Sequence, residues 1–88
     1  MIEQTQIDQV GELLSQRPVE ESAVIELRQQ FPHLHFTYCM DDDVIAAKPL
    51  YETDRFNLYL IDSSNHCLSF TQDLSVATGI VVAELEEA

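Results

Sequence analysis

The chain has 88 residues, 45% of them hydrophobic, so it is long enough for one folded domain and too apolar for a disordered one. Sixteen acidic residues against four Lys and Arg give a formal net charge of −12. That charge excludes nucleic acid and anionic membranes as partners, because both are repelled, and it favours either a basic protein partner or simple solubility.

Two helices are predicted at the start of the chain. Thr5 is the expected N-cap of the first, and apolar residues recur at helical spacing from Ile7 to Leu14. Gly11 inside this helix marks a close contact or, as we expect, an exposed and tolerated glycine. Pro18 suits the first turn of the second helix, and Pro32 ends it. The short connection predicts an antiparallel helical hairpin.

Residues 33–40 are predicted to form the strand on which the fold depends. Side chains of a strand alternate between two faces, so an apolar row can face the helices while a chemically reactive row faces outward. The apolar row is Leu34, Phe36, Tyr38 and Met40, and the outward row is His33, His35, Thr37 and Cys39.

A connection of fourteen residues, Asp41 to Asp54, follows this strand. Loops of that length are often functional or partly ordered, and residues 44–47 suit a helical turn capped by Asp42 or Asp43. Apolar and aromatic side chains flanked by carboxylates are typical of protein interfaces, and also of residues that fold back over the edge of a core. The candidate partner-binding residues are Asp41, Asp42, Asp43, Val44, Ile45, Leu50, Tyr51 and Tyr59.

A second strand, Arg55 to Asp62, is predicted to enter a hairpin through the turn Ser63-Ser64-Asn65. This turn sets a register in which apolar residues of both strands share one face. The expected cross-strand pairs are Asp62 with His66, Leu60 with Leu68, and Leu58 with Phe70.

Asp73 is the expected cap of a short turn that Gly79 ends. The β-branched residues 80–82 favour a last strand over the alternative, a helix that runs from residue 74 to 85. Residues 84–88 are expected to form a frayed acidic tail.

These elements predict a single α+β domain over residues 1–88, in which the N-terminal helical hairpin packs on one face of a small, mainly antiparallel sheet of three to four strands. The other face is expected to be open. Besides part of the last strand, the covered face would hold Phe36, Tyr38, Leu58, Leu60, Leu68 and Phe70.

The outward row suggests an alternative function. Thiolates and imidazoles bind zinc, copper or iron. However, the chain has no Cys-x-x-Cys pair, and either pair of neighbours, His33 with His35 or Cys39 with Cys67, would supply two ligands at best. We therefore expect no cofactor, with bound iron, zinc or copper in a redox-linked accessory protein as the alternative. We also expect no enzyme, since no phosphate-binding loop or nucleophile elbow is present. The candidate metal ligands are His33, His35, Cys39 and Cys67.

Four segments resemble a family of small, uncharacterised, acidic bacterial proteins over about residues 31 to 83. These segments are residues 35–43, 56–62, 66–68 and 77–81. The resemblance supplies no catalytic residues. The resemblance also implies that some relatives are encoded near nitrogen-fixation genes, and with that an accessory role around metallocluster enzymes, which strengthens the metal hypothesis.

The N-terminal residues Met1 to Thr5 lack the basic and apolar parts of a signal peptide, and no apolar run approaches the roughly 18–20 residues of a membrane span. We therefore expect a cytoplasmic protein with free thiols. Its predicted function is that of an acidic binding module. We expect the module to dock a protein partner, with a basic protein as one candidate, through the loop 41–54 and the adjacent strand.

Overall fold

A computed structural model describes residues 2–44, 47–62 and 69–85, except for the side chain of Asp43. Two helices, α1 (Gln4–Ser15) and α2 (Glu21–Gln30), precede strand β1 (His35–Met40) and a 3-10 turn (Asp41–Asp43). The remaining strands are β2 (Tyr51–Glu52), β3 (Phe56–Asp62), β4 (Ser69–Thr71) and β5 (Gly79–Glu84). The predicted α+β class and the last strand are confirmed.

The helix ends depart from the prediction in detail. The N-cap of α1 is Glu3, whose backbone N–H donates a hydrogen bond to Gln6 Oε1 at 2.8 Å, and Thr5 lies inside the helix. Pro18 lies in the connection rather than in the first turn of α2, whereas Pro32 follows the end of α2 as predicted. Neither helix in the described part of the chain is long and apolar enough to cross a membrane.

The sheet is mixed and has the strand order β1-β5-β3-β2, with β4 also paired to β3. Strand β5 lies inside the sheet, parallel to β1 and antiparallel to β3. The predicted sheet was mainly antiparallel with three to four strands, so the structure adds the two-residue β2 and one parallel pair. Because β1 and β5 run in the same direction, the C-terminal ends of both strands lie at the same end of the sheet.

The predicted register of the β3–β4 hairpin is wrong. The observed pairs are Asp62 with Ser69, Ile61 with Phe70, and Leu60 with Thr71. Phe70 is thus opposite Ile61 instead of Leu58, and a shift of three positions moves its side chain to the other face. It is 43% exposed there and makes an edge-on ring contact with Tyr59. The predicted turn (63–65) and the predicted partners His66 and Leu68 lie outside the described residues.

Apolar side chains under the helices form the main core, in which Phe36, Leu58 and Leu60 are buried as predicted. Tyr38 is only half-buried at the margin of this core. The other buried members that the helices and β5 contribute include Ile7, Val10, Leu14, Val24, Leu27, Ile80 and Val82. Amphipathic helices and alternating strands account for this side of the molecule.

The opposite face of the sheet is not open along its length, which corrects the prediction. A second buried cluster lies there, and residues of the loop after β1 cover it. Its members are Tyr59, Ile61, Val81 and Ala83, with Cys39, Val44 and Ala47 partly buried against them. His35 and Thr37 of β1 remain exposed, as predicted for the outward row.

All three arginines of the chain make internal contacts. Arg17 forms an ion pair with Glu26, and Arg28 Nη2 donates a hydrogen bond to the Phe36 carbonyl at 2.9 Å. The Arg55 guanidinium donates to three carbonyls at the C-terminal end of α1, at 2.9 to 3.2 Å. Within the described ranges, the ion pair between Arg17 and Glu26 is the only one between a basic side chain and a carboxylate. Most carboxylates are therefore uncompensated by nearby cations.

Candidate functional site

Carboxylates gather where β1 and β5 end. The two strands are parallel, so Met40 lies opposite Glu84, and the 3-10 turn continues directly from Met40. We call this end of the sheet the acidic corner and define it by Glu21, Tyr38, Met40, Asp42 and Glu84. Glu84, predicted to belong to a frayed tail, is the last residue of β5, and the following Leu85 N–H donates to the Arg55 carbonyl at 2.8 Å.

Tyr38 joins the two strands of the acidic corner. Its hydroxyl donates a hydrogen bond to the Glu84 carboxylate. This hydrogen bond first, then partial burial and electrostatic repulsion from Glu84, Cys39 and Glu21, raise the pKa of Tyr38 from 10.0 to about 12. Each of these interactions favours the neutral phenol, so Tyr38 is held as a hydrogen-bond donor across the alkaline range.

Stability at high pH should depend on this phenol. Because its pKa is higher in the folded chain, its contribution is complete below pH 10.0 and is lost as the pH rises towards about 12. The free energy of unfolding should therefore fall more steeply over that window in the wild type than in Tyr38→Phe. Urea titrations at stepped pH measure both slopes, with Thr37→Ser as a control on the same strand. Equal slopes for wild type and Tyr38→Phe would contradict the assignment.

Asp41 ties the start of the loop to the sheet. Its Oδ1 accepts hydrogen bonds from the Tyr59 hydroxyl at 2.7 Å and from Asn57 Nδ2 at 3.0 Å. Burial first, and then the hydrogen bond to Asp41, raise the pKa of Tyr59. The Val44 N–H closes the turn Asp41–Asp43 on the Asp41 carbonyl at 3.0 Å. The helical turn predicted for residues 44–47 lies partly outside the described residues.

The structure packs most of the predicted partner-binding residues against the protein itself. Val44 adjoins the second cluster, Tyr59 is buried in it, and Leu50 and Tyr51 adjoin the main core. Among the described members of that set, Asp42 is the exposed one. Ile45 and the Asp43 side chain lie outside the described residues. The alternative, in which loop residues fold back over the core, therefore accounts for the apolar loop residues that the structure describes, namely Val44, Leu50 and Tyr51.

Strand β1 forms one edge of the sheet. The His35 N–H donates to the Thr78 carbonyl at 3.2 Å, so odd-numbered residues of β1 direct their backbone groups towards β5. Even-numbered residues direct theirs outward, and the first outward carbonyl, that of Phe36, is occupied by Arg28. Beyond it, no strand in the described ranges lies beside Tyr38 and Met40.

An open cleft of about 290 Å³ adjoins the acidic corner. It shares Glu84 with the corner and is lined otherwise by Pro18, Val19, Arg55 and Leu85. The guanidinium group of Arg55 is occupied by its hydrogen bonds to the carbonyls at the end of α1. The cleft therefore offers apolar surface beside the Glu84 carboxylate. Sequence reasoning missed the cleft and the roles of Glu84 and Glu21, because only the pairing of distant segments brings them to one place.

The candidate metal ligands are spread along β1. His33 and His35 are exposed and line an open groove with Glu3. Cys39 is half-buried four residues beyond His35, a distance of roughly 13 Å along a strand. Cys67 lies outside the described residues. Within the part of the chain that is described, no group of three or more His, Cys, Asp and Glu side chains is placed to hold a metal ion.

Comparison with known protein families gives a match over most of the chain. A model described as "Family of unknown function (DUF6129)" covers residues 5–85, which include α1 except for Gln4, all of α2 and the five described strands. The predicted resemblance to an uncharacterised family is confirmed. No curated protein and no solved structure matches the chain.

Proposed function

Because the chain belongs to DUF6129, a family of unknown function, no activity can be carried over to it, and we propose that it is a small acidic binding module that docks a protein partner. The acidic corner and the start of the adjoining loop are its docking site. One observation supports this proposal above the others. Asp42, which is exposed, lies at the same end of the sheet as half-buried Glu84 and the outward-facing end of β1. Neither catalysis nor a resident cofactor is part of the proposed function.

The charge distribution supports a basic partner. The chain carries a net charge of −12, and its three arginines are engaged at Glu26, at Phe36 and at the end of α1. An uncompensated acidic surface accelerates encounter with a positively charged protein and repels nucleic acid. Such an association should weaken steeply as salt screens the charges.

Affinity capture from a lysate of the source cells tests the proposal when two charge-matched variants are compared. Asp42→Asn combined with Glu84→Gln removes two charges from the acidic corner and keeps the acceptor for Tyr38. Asp8→Asn combined with Glu12→Gln removes two charges from the exposed side of α1. We expect the wild type and the α1 variant to retain the same protein at low salt. The amount that the corner variant retains should be at least about tenfold lower.

High salt should release the same protein from the wild type. Equal losses in the two variants would mean that the net charge alone is sensed, and would contradict a docking site at the acidic corner. Retention of the same protein by the corner variant at wild-type level would also contradict it.

A further inference from the structure

We propose that docking at the acidic corner occurs by strand addition, in which an extended basic segment of a protein partner pairs with the outer edge of β1 at Tyr38 to Met40. Strand addition rests on the docking function proposed above and gives it a binding mode and a class of ligand. In such complexes, backbone hydrogen bonds supply affinity while alternate side chains supply specificity.

The backbone of β1 presents a short edge with defined limits. The N–H and C=O groups of Tyr38 and Met40 point away from β5, as the His35 to Thr78 hydrogen bond requires. Arg28 covers the outward carbonyl of Phe36 at one limit, and the 3-10 turn after Met40 forms the other. A partner segment would therefore make its backbone contacts along about three residues, so we expect a transient complex.

Charge complementarity identifies the occupant. A strand added beside β1 would place alternate side chains next to Tyr38, near the carboxylates of Glu84 and Glu21. Its residues beyond Met40 would meet exposed Asp42. Lys or Arg at those positions would pair with these carboxylates. A second copy of this chain would instead bring a further charge of −12 to the same edge, which disfavours self-association.

Met40 provides a backbone test of strand addition. Its backbone has φ −84° and ψ 146°, near the φ of roughly −65° to which proline is restricted. Since the Met40 N–H points outward, Met40→Pro removes a donor from the free edge without removing a hydrogen bond to β5. Met40→Ala loses the same side chain but keeps the N–H, which makes it the matched control.

The probe is a fluorescein-labelled peptide of five Lys-Val repeats, measured by fluorescence anisotropy at low salt. We expect the wild type to bind it, and Met40→Pro to bind it at least about tenfold more weakly than Met40→Ala, which keeps the outward N–H. The same peptide with a methyl group on every backbone amide nitrogen keeps its charge, has no N–H to donate along either edge, and so cannot form a ladder with β1. It should also bind the wild type at least about tenfold more weakly, which keeps the test valid if circular dichroism shows Met40→Pro to be unfolded.

Several results would overturn strand addition. They are the absence of binding to the wild type, undiminished binding of the N-methylated peptide, and equal binding by the two folded Met40 variants. None of these results bears on the comparison of corner and α1 charge variants, so failure of the binding mode and failure of the docking site are distinguishable.

Discussion

Replacing Gly79 with alanine is expected to lower the free energy of unfolding by about 2–3 kcal/mol, although alanine normally suits a strand better than glycine. A Cβ atom at this position would lie 2.7 Å from the His35 carbonyl oxygen and 2.9 Å from His35 Cβ. The obstructing oxygen belongs to the backbone of β1, so the two strands must separate to admit a methyl group. Urea denaturation followed by circular dichroism measures the loss.

Gly11→Ala is the matched control, because the same methyl group is added at a second buried glycine. A Cβ there would lie 2.4 Å from the ring of Tyr51, which is the far end of a half-buried side chain rather than backbone. Alanine also favours the helix by up to about 1 kcal/mol, so the net change should stay within about 1 kcal/mol of zero. Equal losses at Gly79 and Gly11 would contradict the close approach of β1 and β5.

Local periodicity predicted both helices and the strands apart from the two-residue β2. Alternation placed Phe36, Leu58 and Leu60 on the face that the helices cover, and β-branched residues identified β5. These signals are local, because each depends on residues within one helix or strand. The prediction that Gly11 is exposed was wrong, since nothing in α1 reveals that Tyr51, forty residues away, packs against it.

Pairings between distant segments were not predictable in the same way. A three-residue turn predicted the wrong hairpin register, because the observed pair of Asp62 and Ser69 leaves six residues between them. The predicted and observed registers differ by three positions, and because three is an odd number, the side chain of Phe70 lies on the opposite face of the sheet from the predicted one. Likewise, it is contacts between distant residues that reveal the folding of the loop over the second face: the hydrogen bond from Tyr59 to Asp41 and the packing of Val44 and Ala47.

The candidate site was predicted in part for the same reason. Asp42 lies two residues beyond the last residue of β1, so its position near the strand end could be read from the sequence. Glu84 lies 42 residues further on, and its place beside Met40 depends on the parallel pairing of β1 with β5. No local pattern distinguishes that pairing from an antiparallel one.

Arg55→Met is expected to lower the free energy of unfolding by about 2 kcal/mol, and the melting temperature by roughly 10 °C. The last carbonyls of a helix have no partner within the helix. Arg55 supplies partners from the start of β3, donating to the carbonyls of Leu14, Ser15 and Arg17. Its charge also lies at the negative end of the helix dipole. Methionine retains most of the length of the side chain and none of these donors.

Two further variants separate the helix end from net charge. Arg17→Met removes the same charge from the same acidic protein but breaks an exposed ion pair with Glu26, which is worth at most about 1 kcal/mol. Arg55→Lys keeps the charge and loses the planar fork, so we expect roughly half the loss seen in Arg55→Met. Equal small losses in Arg17→Met and Arg55→Met would mean that water satisfies the end of α1 as well as Arg55 does. A larger loss at Arg55 would locate the stabilisation at those three carbonyls, since net charge changes equally in both variants.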